Sequence, residues 1–323
     1  MELNALDRKI LYLLDSEDRA GVKAIARKIR RSAEVVRYRI RRLEAEGVIR
    51  RYMSFINFSR LGFVGHGVFC TIKERQERKK WIGQLEQNER VYWISEFGGK
   101  YDLAFAIAAR DTYEFYRILN QLKEKLGGSL GGWDIAIRIR LNQFPRSYLL
   151  DKDEKRRENL PYFGKTLGHD KLDGLDFRIL KKLSQEARLD ANSIAEYAQA
   201  PASTVAYRIK KLRESGVLQG AAPQICCQNY GYQSYQLFIN VANLDEKKRQ
   251  ELYSYCSNNP NIVFLIETLG KWNFEIVYDV KNQRELQDQV LRLRQSIRWE
   301  FEMETGIIFD NYLKYDQFPF KSL

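Results

Sequence analysis

The chain has 323 residues and a net charge of +12, with 54 Lys and Arg against 42 Asp and Glu. This length exceeds one typical domain, and a hydrophobic content of 44% with 13% aromatic residues excludes a disordered or low-complexity protein. The longest uninterrupted apolar stretch, Leu103 to Ala109, has seven residues, whereas a membrane span needs about 20. The N-terminal residues lack the basic-then-apolar order of a secretory signal, so we expect a cytoplasmic protein without a membrane partner.

The cysteines do not show the spacing of a metal centre. The four cysteines include no CxxC pair and are Cys70, Cys226, Cys227 and Cys256. We therefore expect reduced thiols, no metal and no cofactor. No nucleophile–base pair and no GxxxxGK[ST] loop is visible, so the sequence predicts no catalytic residue and no enzyme.

The sequence repeats itself. A shift of 169 residues aligns Leu6–Ile49 with Leu175–Leu218 without a gap, and 17 of the 44 positions are identical. Downstream, the run 99–102 (Gly-Lys-Tyr-Asp) aligns with 270–273 (Gly-Lys-Trp-Asn), and Gln-Phe-Pro recurs at 143–145 and 317–319. The chain is therefore a tandem duplication of a unit of about 150 residues. The charged stretch 151–174 between the units has little apolar periodicity and is typical of a linker.

Residues 1–58 predict a winged helix-turn-helix domain, and residues 175–227 repeat it. After a first amphipathic helix, a second covers Val22–Ile29, and Ser32 caps a third over Ala33–Glu46. Gly47 is expected to end this helix in left-handed geometry before an extended segment. A plain three-helix bundle with a solvated basic face is the alternative.

Each winged helix-turn-helix domain, which we call a head, is followed by a second domain, which we call a tail. The predicted element order of the tails is βαββαβ, over residues 59–150 and 228–323. This order is ferredoxin-like and leaves one sheet face in need of a partner. In the second tail, the segment Arg298–Glu304 has no counterpart in the first. The predicted fold class is α+β, with two winged helix-turn-helix domains alternating with two ferredoxin-like domains.

The positive charge is concentrated in the first head. Leu6–Arg51 holds 14 basic and 7 acidic residues, whereas Leu175–Gly220 holds 8 and 5. A basic segment of this size, in a helix-turn-helix pattern, predicts double-stranded DNA as the partner.

These motifs resemble the Lrp/AsnC family of feast-and-famine transcription regulators. The resemblance runs through LDRKILYLL, AIARKI, SAEVVRYRIRRLEAEGVI and FGGKYDLAF, and it covers both units. It implies a sequence-specific DNA-binding regulator, modulated by assembly state and by an amino acid or similar small effector. A duplicated unit in one chain departs from the usual single-unit length of this family.

The third helix of such a head enters the major groove with its N-terminal half. The base-edge candidates are Ala33, Glu34, Arg37 and Tyr38, behind the N-cap Ser32. Arg37 leads because arginine pairs bidentately with guanine. The candidates for phosphate contacts are Arg30, Arg31, Arg41, Arg50 and Arg51. Any of these arginines could instead be a solvated charge, and Arg39 is expected to bond helix one through Asp7 or Asp15.

The second head is less basic, and Pro201 replaces Ser32 at the start of its third helix, where proline suits the first turn. Its DNA-binding candidates are Ser203, Thr204, Tyr207 and Lys211. A half-site read mainly by short polar side chains and a head retained for packing are both open.

The glycine-containing turns between the second and third strands of the tails are the candidate effector sites. Glycines permit a tight turn with backbone N–H groups open to a small anion, and Asp102 could bind an ammonium group. By the family resemblance, the effector-binding candidates are Gly99, Tyr101, Asp102, Gly270, Trp272 and Asn273. Hairpin turns that pack one tail against the other are the alternative.

The two tails are expected to pair through their open sheet faces, within one chain or between chains. Ile135, Ile137 and Ile139 alternate on the face predicted to be uncovered, and leaving it wet would expose a large apolar patch. Self-association through the βαββαβ domains follows. Two unlike heads on a pseudo-twofold axis would favour an imperfect palindrome with half-sites about one helical turn, or a multiple, apart.

Two rival functions stay open. Siroheme-decarboxylating proteins are similar to the same family and would need histidines to hold a tetrapyrrole, but the two histidines of this chain, His66 and His169, do not recur in the repeat. The second rival is a scaffold whose heads no longer bind DNA.

Overall fold

The structure is a computed structural model that describes residues 1–17, 21–126, 130–150, 162–164, 167–168, 170–318 and 320. No helix within these ranges is long and apolar enough to cross a membrane. The candidate His169 and the whole stretch 151–161 of the proposed linker lie outside the described residues.

Helices and strands follow the duplicated order expected from the sequence, except for a short strand at Tyr162–Gly164, which lies within the proposed linker and pairs with the last strand of the first tail. The helices are α1 (Ala5–Ser16), α2 (Val22–Ile29), α3 (Ala33–Ala45), α4 (Arg78–Gln87), α5 (Thr112–Leu126), α6 (Gly174–Gln185), α7 (Ala191–Ala198), α8 (Ala202–Glu214), α9 (Glu246–Asn258) and α10 (Gln283–Ser296). The strands are β1 (Ile49–Ile56), β2 (Val64–Ile72), β3 (Val91–Gly98), β4 (Leu103–Ala109), β5 (Leu130–Gln143), β6 (Tyr162–Gly164), β7 (Leu218–Ile225), β8 (Gln233–Asn240), β9 (Ile262–Gly270), β10 (Phe274–Val280) and β11 (Glu302–Tyr315).

Each head, head one with α1–α3 and head two with α6–α8, starts at the same local signal. Asn4 caps α1 and forms a capping box with Asp7, and Asp173 does the same for α6 with Asp176. In both heads the third helix buries a stripe of aliphatic residues, which in head one is Val36, Ile40 and Leu43. Gly47 follows α3 with φ +67°, as its sequence position predicts. The winged helix-turn-helix prediction is confirmed.

The extended segments that follow the two heads pair with each other. β1 and β7 form an antiparallel two-stranded sheet in which Met53 lies opposite Ala222 and Phe55 opposite Gly220. Helix α1 packs on β7 and α6 packs on β1, so each head rests on a strand of the opposite unit. Because of this exchange, the two heads and their connecting strands form one contiguous framework.

The two tails close into a single antiparallel barrel. Its strand order is β2-β4-β3-β11-β8-β10-β9-β5, and β5 pairs back to β2. The half-barrels meet at two seams, β3 with β11 and β9 with β5, where Ile307 lies opposite Gly98 and Ile137 opposite Leu269. The uncovered sheet faces of the two tails pack against each other in the barrel interior, where the ring centres of Phe69 on β2 and Phe238 on β8 are 5.2 Å apart, so the expectation of pairing through the open faces is confirmed. The halves also join edge to edge, which the sequence did not predict and which satisfies the backbone hydrogen bonds of all four half-barrel edges.

The residues of β5 that face the barrel interior are not those that the sequence indicated, but the ones that alternate with them. Ile135 packs towards the helix-covered outside with α4 and α5, and Ile139 is 41% exposed. Ala136 and Arg138 lie instead on the buried inner face. Helices already cover the aliphatic side of this strand, so the periodicity identified a strand correctly and assigned its two faces the wrong way round.

The segment without a counterpart in the first unit has two parts. Its last residues open β11, since Glu302 and Met303 pair with Asn240 and Ile239 of β8. Before them, Trp299 packs with the cluster under α9 and α10 and donates its indole N–H to Glu251 at 3.0 Å. The part of the segment in β11 does have a counterpart in the structure, contrary to the sequence comparison: β5 and β11 both have 14 residues, and each pairs with one strand of its own unit and one of the other to close a seam of the barrel.

Candidate nucleic-acid interface

The outer face of α3 carries a group of polar side chains that, apart from the helix cap made by Ser32, have no bonding partner in the described part of the chain. Ser32 caps the helix by accepting a hydrogen bond from Val35 N at 3.3 Å, and Ala33 behind it is half-buried. Tyr38 is 64% exposed. The exposed members of this set are Arg30, Arg31, Ser32, Glu34, Arg37, Tyr38 and Arg41. We call these seven residues the α3 face.

The turn before α3 holds Arg30 in the left-handed region, with φ 55° and ψ 52°. Its N–H closes the preceding helix on Ala26 O and Arg27 O. Gln199 adopts the same geometry in the second head, with φ 52° and ψ 49°. Non-glycine residues rarely occupy this region, so both heads accept local strain to keep the angle between their second and third helices.

Arg39 does not belong to the α3 face. Its Nη1 lies 3.2 Å from the carboxylate of Asp7, which is fully buried at the start of α1. Arg208 makes the same contact with Asp176 at 3.1 Å in the second head. The sequence-based prediction that Arg39 ties helix three to helix one through one of two aspartates is confirmed, with Asp7 as the partner.

The two arginines proposed for phosphates on the wing are engaged inside the molecule. Arg50 Nη1 donates to both carboxylate oxygens of Asp310 at 2.7 and 2.8 Å. Arg51 Nε donates to Gln224 Oε1 at 3.0 Å, and its Nη2 donates to the carbonyl of Tyr315 at 2.7 Å. Both side chains therefore hold β1 against β7 and β11, which distinguishes them from the arginines of the α3 face.

The corresponding face of α8 differs in chemistry. Ser203 is exposed, Thr204 is half-buried, and Tyr207 is 53% exposed with the Lys211 ammonium 5.0 Å from its ring centre. A hydrogen bond with Tyr207 raises the pKa of Lys211. Pro201 occupies the N-cap itself, without a side-chain cap, and not the first helical turn as the sequence suggested. Ala206 stands where the first head has Arg37.

The aromatic residues of the candidate effector turns point into the barrel. Tyr101 and Trp272 are each 3% exposed, and both pack against Phe238, with ring centres 5.6 and 4.4 Å away. Tyr101 donates its hydroxyl to Asp134 at 2.7 Å. Gly99 and Gly270 have φ +104° and +141°, which suits glycine at these turns. These contacts support packing between the tails.

Asp102 and Asn273 occupy equivalent positions, and their side chains accept equivalent hydrogen bonds. Asp102 Oδ2 accepts a hydrogen bond from Ile72 N at 2.8 Å, and Asn273 Oδ1 accepts one from Val241 N at 2.6 Å. An amide oxygen accepts as a carboxylate oxygen does, so the replacement preserves the turn. The assignment of all six turn residues to an effector stays a prediction.

Sequence reasoning missed two features that position the heads. One is the pairing of β1 with β7, which no local pattern specifies. The other is a buried group around Arg146, whose guanidinium binds Asp15 of α1 and Asp279 of β10. The sequence indicated Asp15 only as a possible partner of Arg39. The available signal for this group was an arginine directly after the Gln-Phe-Pro triplet at 143–145, which recurs in the second unit.

Comparison with known proteins agrees with this arrangement. The family model described as winged helix-turn-helix DNA-binding matches residues 3–50 and 172–219. The HTH-type transcriptional regulator FL11 of Pyrococcus horikoshii is 31% identical over 150 residues, which cover 46% of this chain and 97% of that protein. The proline dehydrogenase transcriptional activator of Rhodobacter capsulatus is 28% identical over 126 residues, 37% of this chain and 79% of the activator.

A solved structure is similar over the whole length. The crystal structure of the siroheme decarboxylase NirDL has a TM-score of 0.60, covers 99% of this chain and 95% of its own, and is 13% identical. At this identity the likeness concerns the fold alone.

Two winged helix-turn-helix heads on a closed barrel of two βαββαβ halves define a class of duplicated winged-helix proteins. The chain belongs to the Lrp/AsnC family of transcription regulators, as a tandem duplication of the family unit.

Proposed function

We propose that this chain is a sequence-specific DNA-binding transcription regulator that carries two unlike reading heads. The observation that carries the proposal is the α3 face, where four arginines and an exposed tyrosine surround the N-terminal half of a helix suited to the major groove. Arg37 is the base-reading candidate, and Arg30, Arg31 and Arg41 are the candidates for phosphate contacts. Family membership supports this function.

The second head contributes differently. Its α8 offers Ser203, Thr204, Tyr207 and Lys211 in place of the arginines of α3. Short hydroxyl side chains can bond several bases, so this head supplies weaker and less selective contacts. Because β1 and β7 fix both heads to one framework, the favoured operator is an imperfect palindrome with one strong and one weak half-site.

Three further parts of the proposal rest on the family. A small effector such as an amino acid binds at the two glycine turns. Exposed charged groups there are Lys100, which lies 2.8 Å from Glu304 and 3.5 Å from Asp134, and Lys271 at the second turn. Chains associate further with one another, although the barrel closes within one chain. The boundaries 1–58, 59–150, 175–227 and 228–323 divide the chain into its four domains.

Selection of bound DNA from a random library, with the full chain, tests the function. We expect one enriched motif with two unlike halves, and an affinity that falls linearly on a logarithmic scale as salt rises from about 50 to 200 mM. Arg37→Ala should relax one half-site, and Thr204→Ala, at the other head, should affect the other. Failure to enrich any motif would favour the scaffold, in which the heads only pack.

The likeness to NirDL over the full length favours a second candidate, a siroheme-decarboxylase-like enzyme. Against it, His66 is 4% exposed, its ring stacks on Phe115 at 4.3 Å, and its Nδ1 lies 3.1 Å from Val64 O. Burial lowers the pKa of His66. A change in the Soret band on adding siroheme, followed by release of carbon dioxide, would support the enzyme over the regulator.

A further inference from the structure

Head one is joined to the barrel through a buried ionic group. Arg146 Nη1 donates to Asp15 Oδ1 at 3.1 Å, its backbone N–H donates to Asp15 Oδ2 at 2.9 Å, and its Nε donates to Asp279 Oδ2 at 3.0 Å. The side chains of Arg146, Asp15 and Asp279 are at most 3% exposed. Asp15 belongs to α1 of head one and Asp279 to β10 of the second half-barrel, so one guanidinium connects head and barrel.

Additional hydrogen bonds fix the barrel side of this group. Tyr148 donates its hydroxyl to Asp279 Oδ2 at 2.9 Å and lies 2.8 Å from the hydroxyl of Tyr230. Ser234 donates to Asp279 Oδ1 at 2.6 Å. Both oxygens of Asp279 are therefore occupied, and the position of Arg146 is set from two directions. Charged hydrogen bonds of this kind are directional, and they resist a tilt of α1 against the barrel.

The duplicated half provides an internal comparison. Tyr148 stacks on Tyr232 at 4.5 Å, and Phe320 stacks on Phe63 at 4.4 Å. Strand pairing gives the same correspondence, since Gln143 lies opposite Phe264 and Tyr315 opposite Trp93. In the structure, Arg146 therefore corresponds to Phe318. An alignment of the two Gln-Phe-Pro triplets would instead place Arg146 two residues further on, at Phe320.

The joint of head two has no buried ion pair among the described residues at the corresponding place. Phe318 is fully buried, and its ring centre lies 5.2 Å from that of Phe177 on α6. The polar contacts of this joint include a hydrogen bond from Lys181 Nζ to the Phe318 carbonyl at 3.4 Å and one from Ser54 Oγ to the Leu183 carbonyl at 2.7 Å. The positions that correspond to Asp15 and Asp279 hold Ser184 and Ala108. Apolar packing has little directional preference, so it allows α6 to shift at small cost compared with the ionic joint of head one.

From this difference we propose that Arg146 is a positioning residue that locks head one at a fixed angle on the barrel, while head two is mounted on a compliant joint. The proposal rests on the proposed DNA-binding function and adds a specificity device to it. Head one sets a fixed register on the duplex, and head two adapts to its half-site. A change in the barrel reaches the DNA through Asp279, Arg146 and Asp15.

The test transplants the apolar joint into head one with the triple variant Asp15→Ser, Arg146→Phe and Asp279→Ala. Arg146→Lys, which keeps the charge and loses the two-sided geometry, is the second variant and covers the case in which the triple variant does not fold. Phe318→Leu at the other joint is the matched control. Two quantities are measured: amide hydrogen exchange of all six head helices, and affinity for operators whose half-site spacing is altered by one or two base pairs.

We expect exchange in α1–α3 to become at least about tenfold faster in the triple variant, with Arg146→Lys intermediate and α6–α8 unchanged. Adaptation by head two alone should limit the affinity loss of the wild type at the altered spacings to about tenfold, and the triple variant should lose less than about threefold, because head one can then tilt as well. A general loss of stability would weaken all spacings alike. The control should leave the spacing preference intact.

Unchanged exchange in α1–α3, or an unchanged spacing preference in Arg146→Lys and in the folded triple variant, would overturn the proposal. If the wild type binds no DNA, the proposed function fails, and the exchange measurement decides on the joint alone: accelerated exchange limited to α1–α3 still supports the lock, and its absence refutes it.

Discussion

Arg138 and Glu275 face each other inside the barrel, one from each half, with Nη2 and Oε2 3.8 Å apart and side-chain exposures of 3% and 0%. Gln236 and Trp272 donate further hydrogen bonds to the Glu275 carboxylate at 2.9 and 3.2 Å. Burial raises the pKa of Glu275, and the guanidinium of Arg138 opposes that shift. The interior that joins the two units is therefore not uniformly apolar.

We predict that Arg138→Met destabilises the fold by about 3–5 kcal/mol, because it leaves a buried carboxylate without its cation. The double variant Arg138→Met, Glu275→Leu should recover most of this loss, since removing both partners removes the need to desolvate either. Urea unfolding of both single variants and the double variant, at constant m-value, measures the coupling. Additive losses would show that the two side chains do not act as a pair.

Arg37 and Arg50 should respond differently to truncation. Arg37 lies free on the α3 face, so Arg37→Ala should relax base preference and cost roughly 1–3 kcal/mol of DNA affinity. Arg50 is bound to Asp310, so Arg50→Ala should leave affinity and its salt slope nearly unchanged. Anisotropy titrations at several salt concentrations compare the two. If Arg50→Ala weakened the salt dependence of DNA affinity, this would show that Arg50 contacts DNA.

Variants of Arg30 and Gln199, the two turn residues in the left-handed region, distinguish the effect of backbone strain from that of DNA contact. Gln199→Gly should raise the free energy of unfolding by up to about 1 kcal/mol without changing DNA affinity, because glycine accepts φ 52° without strain. Arg30→Gly should give the same stability gain and lose affinity, since it also removes a phosphate contact. Thermal unfolding and DNA titration of both variants decide this. Equal affinity for the two would show that Arg30 does not touch DNA.

Lys314 predicts a pH dependence of stability. Its Nζ donates to the carbonyls of Glu86 and Asn88 at 2.8 Å each, and burial lowers its pKa to about 8 from an ordinary 10.5. Between pH values of about 8 and 10.5 the unfolded chain binds more protons than the folded one, so the free energy of unfolding rises with pH across that window. Below it, Lys314 is charged in both states, and its burial lowers the free energy of unfolding by the full amount.

Lys314→Met should therefore exceed the wild type in stability near pH 7 by ~1–3 kcal/mol, and the difference should shrink towards pH 10. Denaturant unfolding of both proteins between pH 7 and about 10 measures it. Lys210→Met, which removes an exposed lysine, is the control and should show no such convergence. A difference that stays constant with pH would mean that Lys314 remains charged throughout.

Local patterns determined the secondary structure because helix and strand signals act over a few residues. The predicted span Val22–Ile29 agrees with the structure to the residue, and the third helix, predicted over Ala33–Glu46, ends one residue earlier, at Ala45. The Arg39–Asp7 bond was also predictable, since the repeat preserves both residues at one spacing. The αβ order of each unit, and hence the fold class, followed from these signals together with the duplication.

Only the tertiary structure decided how the units combine. An antiparallel strand can bond another at either edge, and its sequence does not name the partner, so the closure of the barrel at β3–β11 and β5–β9 and the pairing of β1 with β7 could not be predicted. The same limit hid the burial of Tyr101 and the bonding of Arg50. It also hid the group at Arg146, which depends on residues 131 and 133 positions away being brought together by folding. Contacts of that range depend on the whole chain, whereas sequence periodicity reports only which side of one element is apolar.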